Sequence, residues 1–115
     1  YDVEQDGSLG EKQTFATFDK GAPDGLVVSE DGRVWVALAA DGAGVAVLNA
    51  QGVQVDHLSI PQPMCTSVCF GGNDLSTLYI VSGSDGMDSD TAGAVYAHSV
   101  DTRGCKVAVA KVKLA

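Results

Sequence analysis

Basic residues are scarce in this sequence, because only seven Lys and Arg stand against 15 Asp and Glu among 115 residues, leaving a net charge of −8. A surface of that sign repels phosphate backbones and anionic lipid headgroups. Long apolar runs are also lacking. The longest covers residues 34–40, whereas a membrane-spanning helix needs about 20 residues. We therefore expect neither nucleic acid nor a membrane as a partner.

The beginning of the sequence and its cysteines carry no sign of secretion. The first six residues contain no Met, no basic stretch and no apolar stretch, so no signal peptide is in view and the start resembles the middle of a longer chain. The cysteine count is odd, with Cys65, Cys69 and Cys105. On one strand, Cys65 and Cys69 would lie about 13 Å apart, too far for a disulfide. These features predict a reducing, cytoplasmic environment.

The apolar residues that are present recur with period two in short runs bounded by Gly, Asp, Asn and Pro, which predicts an all-β domain. No stretch has the 3.6-residue period of a long helix. The predicted strands are 12–18, 26–29, 33–38, 44–49, 53–60, 66–70, 77–82, 93–99 and 106–113. The turn Glu30-Asp31-Gly32 between two of them suits a tight hairpin with positive φ.

The strand pattern is repeated along the chain. Residues 26–60 and 66–112 each read as strand, turn, aromatic-containing strand, Gly-led strand and final strand, with a unit of about 40–45 residues that is typical of propeller blades. Residues 1–18 match the end of a preceding unit. A closed propeller takes at least about four blades of four strands. This chain therefore cannot close a ring alone, and another chain or a second copy should supply the missing blades.

Three ordered motifs resemble one known family. Residues 22–37 read APDGLVVSEDGRVWVA, residues 65–72 read CTSVCFGG before the LYI of 78–80, and SDGM of 84–87 precedes the AGAVY of 92–96. Together they resemble the C-terminal part of the senescence-marker-protein, gluconolactonase and luciferin-regenerating-enzyme family, which is regucalcin-like. The resemblance implies β-propeller blades, about two and a half of a six-bladed ring, built from antiparallel four-stranded sheets. Residues 1–18 would be outer strands of one blade, and 22–60 and 64–113 one blade each.

The same resemblance implies a divalent-metal-dependent hydrolase acting on sugar lactones. The metal would be Ca²⁺, with Zn²⁺, Mg²⁺ and Mn²⁺ as alternatives. Of the family's four protein ligands, a Glu, two Asn and the Asp of the Pro-Asp-Gly motif, only the last has a counterpart here, Asp24. Asp24 is thus the predicted metal-binding and catalytic residue. From its position between Pro23 and Gly25 alone, it would be interpreted as a turn residue.

Other chemically capable residues are interpreted as structural. A zinc site needs further ligands near the lone His57 and His98, so these histidines are expected to be rim or packing residues. Cys65 and Cys69 are expected to be buried thiols. Trp35 is expected to pack between blades. Ser67 and Ser82 lack the context of a nucleophile. The acidic residues of the later loop do not follow the calcium-binding EF-hand order, and these are Asp85, Asp88 and Asp90.

Two alternative functions stay open from the sequence. One is a non-catalytic propeller fragment, an interaction or calcium-binding module that another chain completes. The other is a related propeller esterase, similar to strictosidine synthase, that dispenses with this metal set. Lactone hydrolysis with added metal would separate the lead hypothesis from the first alternative, and activity that survives a chelator would favour the second.

Overall fold

The computed structural model describes residues 1–84 and 93–108, and its regular structure is almost entirely strand. The strands are β1 (Ala22–Val28), β2 (Val34–Ala39), β3 (Gly44–Leu48), β4 (Gln54–Ser59), β5 (Cys65–Gly71), β6 (Thr77–Ser82) and β7 (Val95–Ser99). Within the described residues, the single helical element is a 3-10 turn at Ala40–Gly42. The all-β prediction is confirmed. None of the helical structure in these ranges is long and apolar enough to cross a membrane.

The strands form two antiparallel sheets in which each strand pairs with its neighbour in sequence. The first sheet has the order β1-β2-β3-β4 and the second the order β5-β6-β7. Short turns join β1 to β2, β3 to β4 and β5 to β6. Gly32 closes the β1–β2 turn with φ +79°, which confirms the positive φ expected at Glu30-Asp31-Gly32. Such sequential pairing within a sheet is the arrangement of a propeller blade.

The two central strands of the first sheet, β2 and β3, are buried on both faces, whereas much of β1 and β4 is exposed. One face packs against the second sheet through Trp35, Ala37, Val45 and Val47, which meet Val68, Leu78 and Ile80. The opposite face carries Val36, Leu38, Ala46 and Leu48, and the half-buried Ala16 and Phe18 cover it. Strands β2 and β3 are therefore nearly continuous hydrophobic runs, because neither face meets water.

Two predicted strands are not formed as predicted. Residues 12–18 contain no strand, and the only ladder contact in residues 1–18 is an isolated bridge between Val3 and Leu9. Their backbone pairs with no strand in the described chain, so this segment covers the first sheet with side chains instead. Of the predicted strand 106–113, residues 106–108 are not strand, and 109–113 lie outside the described residues. The second sheet accordingly shows three strands rather than the predicted four.

The segment that follows β7 ties the turn ends of both sheets together. The Gly104 N–H donates to the Leu75 carbonyl at 2.9 Å, and the Cys105 N–H donates to the Val28 carbonyl at 3.1 Å. A Cβ on Gly104 would fall 2.3 Å from the Phe70 Cβ, so this crossing requires glycine. These contacts fix the sheets relative to one another at the ends of β1 and β5.

Candidate functional site

Asp24 lies in a β-bulge close to the start of β1. Pro23 pairs with Leu38 and Leu26 pairs with Val36, so Asp24 and Gly25 together stand opposite a single residue of β2. Proline has no N–H to give to the ladder, and glycine tolerates the altered backbone, so the Pro-Asp-Gly sequence suits a bulge. Bulges re-aim side chains and are over-represented next to active sites.

The neighbouring strand of the other sheet is irregular at the same level. In β5 the register shifts between Cys65 and Ser67, which leaves Thr66 as the extra residue. The two strands touch at this point. A Cβ on Gly25 would lie 2.5 Å from the Ser67 Oγ and 2.8 Å from its Cα. Glycine at position 25 therefore permits the close approach of β1 to β5 beside Asp24.

The carboxylate of Asp24 is exposed, and it has no hydrogen bond or ion pair with any residue that the structure describes. The negative charge of Asp24 also acts on Cys65, which lies on β5 of the second sheet. Burial is the main cause that raises the pKa of the Cys65 thiol, and the negative charge of Asp24 raises it further. Asp24 is thus close to β5 while both of its oxygens stay free for a ligand.

A divalent cation would find one carboxylate here. Oxygen donors such as Asp24 are the ligands that Ca²⁺ and Mg²⁺ prefer, so the donor chemistry fits. Within residues 1–84 and 93–108, however, no group of three or more His, Cys, Asp or Glu side chains is placed to hold a metal. The described chain can therefore contribute Asp24 to a metal site but does not complete one.

The remaining candidates from the sequence have structural surroundings. The His57 ring is half-buried, with Nε2 2.9 Å from the Gly42 carbonyl oxygen and Nδ1 3.3 Å from the Ser59 Oγ. His98 is exposed and borders, with His57, a cleft of about 320 Å³ between the outer strands. The three cysteines are free thiols, and Cys65 is buried as expected, but Cys69 is exposed and that part of the prediction is wrong. Asp85, Asp88 and Asp90 lie outside the described residues.

Trp35 has the packing role expected for it. Its ring meets Phe70 edge-to-face at 5.6 Å, and its indole N–H donates to the buried Ser29 hydroxyl at 3.0 Å. Ser29 in turn donates to Asp31 at 2.6 Å, and Arg33 lies within 2.6 Å of the same carboxylate. The packing role of Trp35 is predictable from the sequence, but this polar chain is not, because residues 29–33 read simply as a turn.

Sequence reasoning also missed a cavity of about 510 Å³ beside the segment that precedes β1. It is lined by polar and charged side chains together with Phe18 and Leu38, and the polar ones include Asp19, Lys20, Asp41 and His57. Asp41 already accepts a hydrogen bond from the Gly21 N–H at 2.8 Å. No local motif marks this cavity, since its walls come from three separate parts of the chain.

The sequence model of the SMP-30/Gluconolactonase/LRE-like region matches residues 1–84. The chain belongs to this family. A solved luciferin-regenerating enzyme superposes on 99% of the chain with a TM-score of 0.80 and 32% identity, and the chain covers 41% of that structure. The family resemblance and the propeller fold predicted from the sequence are therefore confirmed.

Two curated relatives represent different members of the SMP-30/gluconolactonase family. Regucalcin of Xenopus laevis is 39% identical over 72 residues, which are 63% of this chain and 24% of that protein. The 6-deoxy-6-sulfogluconolactonase of Pseudomonas putida is 33% identical over 114 residues, which are 91% of this chain and 39% of that enzyme. The chain thus spans about a quarter to two-fifths of the length of these relatives.

Proposed function

We propose that this chain is part of a metal-dependent hydrolase of sugar lactones in which Asp24 binds the metal. The observation that carries the proposal is the free, exposed carboxylate of Asp24 in a bulge where the edge strands of two sheets meet. Family membership supports the substrate class, because a relative that aligns with 91% of the chain is a gluconolactonase by name. Neither observation alone would specify this chemistry.

The role of Asp24 in such a reaction follows from its unpaired oxygens. When bound, a divalent cation would polarise the lactone carbonyl, and Ca²⁺ is the ion we propose, with Mg²⁺, Mn²⁺ and Zn²⁺ as alternatives. Asp24 would also accept the proton of the water that attacks the carbonyl carbon. The bond between the carbonyl carbon and the ring oxygen would then break, the ring oxygen would take up the proton that Asp24 accepted, and the product would be the open hydroxy acid.

The other metal ligands would come from blades that complete the ring, supplied by another chain or a second copy. The second sheet supports this part of the proposal, because its outer face exposes apolar residues. Val95 is 66% exposed, Tyr79 37% and Val81 36%. Exposed apolar surface of this kind is typical of a face that another element covers. Sedimentation of the chain as a stable 11.8 kDa monomer with a cooperative melt would contradict it.

The decisive experiment compares Asp24→Asn with Asp19→Asn in the full-length protein. Both changes remove one exposed acidic charge, but only the first removes the proposed ligand. We expect Asp24→Asn to weaken Ca²⁺ binding in calorimetry by about tenfold or more and to lower hydrolysis of D-glucono-δ-lactone in parallel. Asp19→Asn should match the parent protein. Unchanged metal binding and turnover in Asp24→Asn would overturn the assignment.

The alternative is a non-catalytic module that binds calcium or a partner chain. The exposed apolar face of the second sheet favours it, since that face suits association whether or not a lactone is hydrolysed. The same experiment separates the two functions. Ca²⁺ binding that depends on Asp24 without any lactone turnover would identify the module, whereas turnover that survives a chelator would indicate a metal-independent esterase.

A further inference from the structure

Ser67 presents a hydroxyl beside Gly25, the residue that follows Asp24. It lies on β5 immediately after the extra residue of the bulge, and its Oγ occupies the space that a side chain at Gly25 would take. The residue is exposed, and its hydroxyl has no hydrogen bond with any part of the chain that the structure describes. The hydroxyls of two nearby polar residues are engaged, since Thr66 donates to the Val81 carbonyl at 3.3 Å and Ser82 to the Ala94 carbonyl at 3.3 Å.

We propose that the Ser67 hydroxyl binds a hydroxyl group of the sugar lactone and so helps to select polyhydroxylated lactones. The inference rests on the proposed function and extends it to substrate selection. A free hydroxyl can donate a hydrogen bond and can also accept one. It can therefore bind a sugar hydroxyl that acts either as acceptor or as donor. Because Ser67 lies against Gly25, the residue that follows Asp24, the proposed site would draw one polar group from each of the two sheets.

Ser67 is a binding residue in this proposal and not a nucleophile. A serine nucleophile needs an adjacent base within hydrogen-bond distance, and no side chain in the described ranges is hydrogen-bonded to Ser67. We also expect the contact of Ser67 with β1 to contribute little to the stability of the fold. The Gly25 backbone fits against the Ser67 side chain without a hydrogen bond between them. Removing the Oγ therefore leaves the approach of the strands intact.

The expected loss of substrate affinity corresponds to one hydrogen bond between Ser67 and the sugar, which in the free state is replaced by hydrogen bonds to water. The loss of such a bond should weaken binding roughly three- to tenfold, which corresponds to about 0.7–1.4 kcal/mol. Because the contact exists in the bound substrate as well as during reaction, its loss should raise KM while kcat changes little. A lactone without ring hydroxyls gains nothing from Ser67 and should not distinguish the variant from the parent.

The test measures Ser67→Ala in the full-length protein with two probes, D-glucono-δ-lactone and the unsubstituted δ-valerolactone. We expect KM for gluconolactone to rise roughly three- to tenfold, KM for δ-valerolactone to stay within about twofold, and binding of D-gluconate in calorimetry to weaken to the same extent as the gluconolactone KM. Ser99→Ala is the matched control, because Ser99 is also an exposed strand serine of the second sheet.

Each other outcome has a definite meaning. An equal loss for both lactones would show a structural role and overturn the proposal, as would an unchanged gluconolactone KM with normal turnover, which leaves the proposed hydrolase intact. If the parent protein hydrolyses neither lactone, the proposed function fails and the Ser67 proposal fails with it.

Discussion

At one end of the paired sheets the polar side chains bind one another, and we call this the hydrogen-bonded end. At the other end two polar side chains have no partners among the described residues. Where β1 ends, Ser29, Asp31 and Arg33 form a connected chain of hydrogen bonds and ion pairs that Asp101 extends at 2.8 Å. Where β1 and β5 begin, Asp24 and Ser67 have no partners among the described residues. The first end is built for stability. The second leaves two polar groups without partners among the described residues in a bulged backbone, which suits the ligand-binding role proposed for Asp24.

Trp35→Ala should cause the largest loss of stability. It tests whether the hydrogen-bonded end, with Ser29, Asp31 and Arg33, stabilises the fold. It removes the contact with Phe70 and the donor to Ser29 from a site that is 2% exposed. We expect a loss of about 3–5 kcal/mol in the free energy of unfolding, measured by urea denaturation. Trp35→Phe keeps most of the ring volume and should cost less. A loss below about 1 kcal/mol for the alanine variant would contradict the comparison.

Gly104→Ala tests the segment that joins the two turn ends. The added Cβ would lie 2.3 Å from the Phe70 Cβ, so the segment or the ring must move. We expect the free energy of unfolding to fall by roughly 1–3 kcal/mol in thermal or urea unfolding. Gly83→Ala is the control, because its Cβ would meet the nearest atom at an ordinary 3.6 Å. Equal stability of the two variants would show that the crossing is loosely packed.

Acid should reduce the stabilising contribution of Asp31 at the hydrogen-bonded end of the sheets. The hydrogen bond from Arg33 is the main cause that lowers the pKa of Asp31 well below its usual value of 3.8. A lowered pKa stabilises the fold above the unfolded value, and this contribution disappears as the pH falls from about 4 through the folded value. Asp31 is 40% exposed, so screening by water limits the effect to about 1 kcal/mol.

The measurement is the stability of the parent and of Asp31→Asn between pH 7 and pH 2. We expect the variant to be less stable at pH 7 and the difference to shrink below pH 4, because protonation removes the same charge from the parent. A difference that stays constant over this range would mean that the charge of Asp31 does not contribute to folding.

Asp24→Asn should have the smallest effect on stability, within about 0.5 kcal/mol in the absence of metal. The carboxylate is exposed and engages no described residue, so its removal breaks no contact. Urea unfolding in the presence of a chelator measures this change. A loss of 1 kcal/mol or more would show that Asp24 belongs to the structural framework, and the contrast between the two ends would fail.

Much of the fold could be predicted from alternation and turn residues. The predicted strands 33–38, 44–49 and 77–82 agree with β2, β3 and β6 within one residue at each end, because buried strands and tight turns are encoded by nearest neighbours. The predicted strand 12–18 is wrong, although Ala16 and Phe18, two residues apart, both pack on the first sheet. Alternation reports which side chains face a core, but a strand also needs a partner for its backbone, and none is present in the described chain.

The sequence by itself determined the β fold and the blade pattern, since both depend on local residue order. The role of Asp24 in the Pro23-Asp24-Gly25 motif came from the family resemblance and stays a prediction. Only the tertiary structure decided that a second bulge stands beside that motif and that Ser67, 43 positions after Asp24, offers a free hydroxyl there. The physical reason is that the packing of β1 against β5 is non-local. No spacing within either strand shows which residue of the other it will meet.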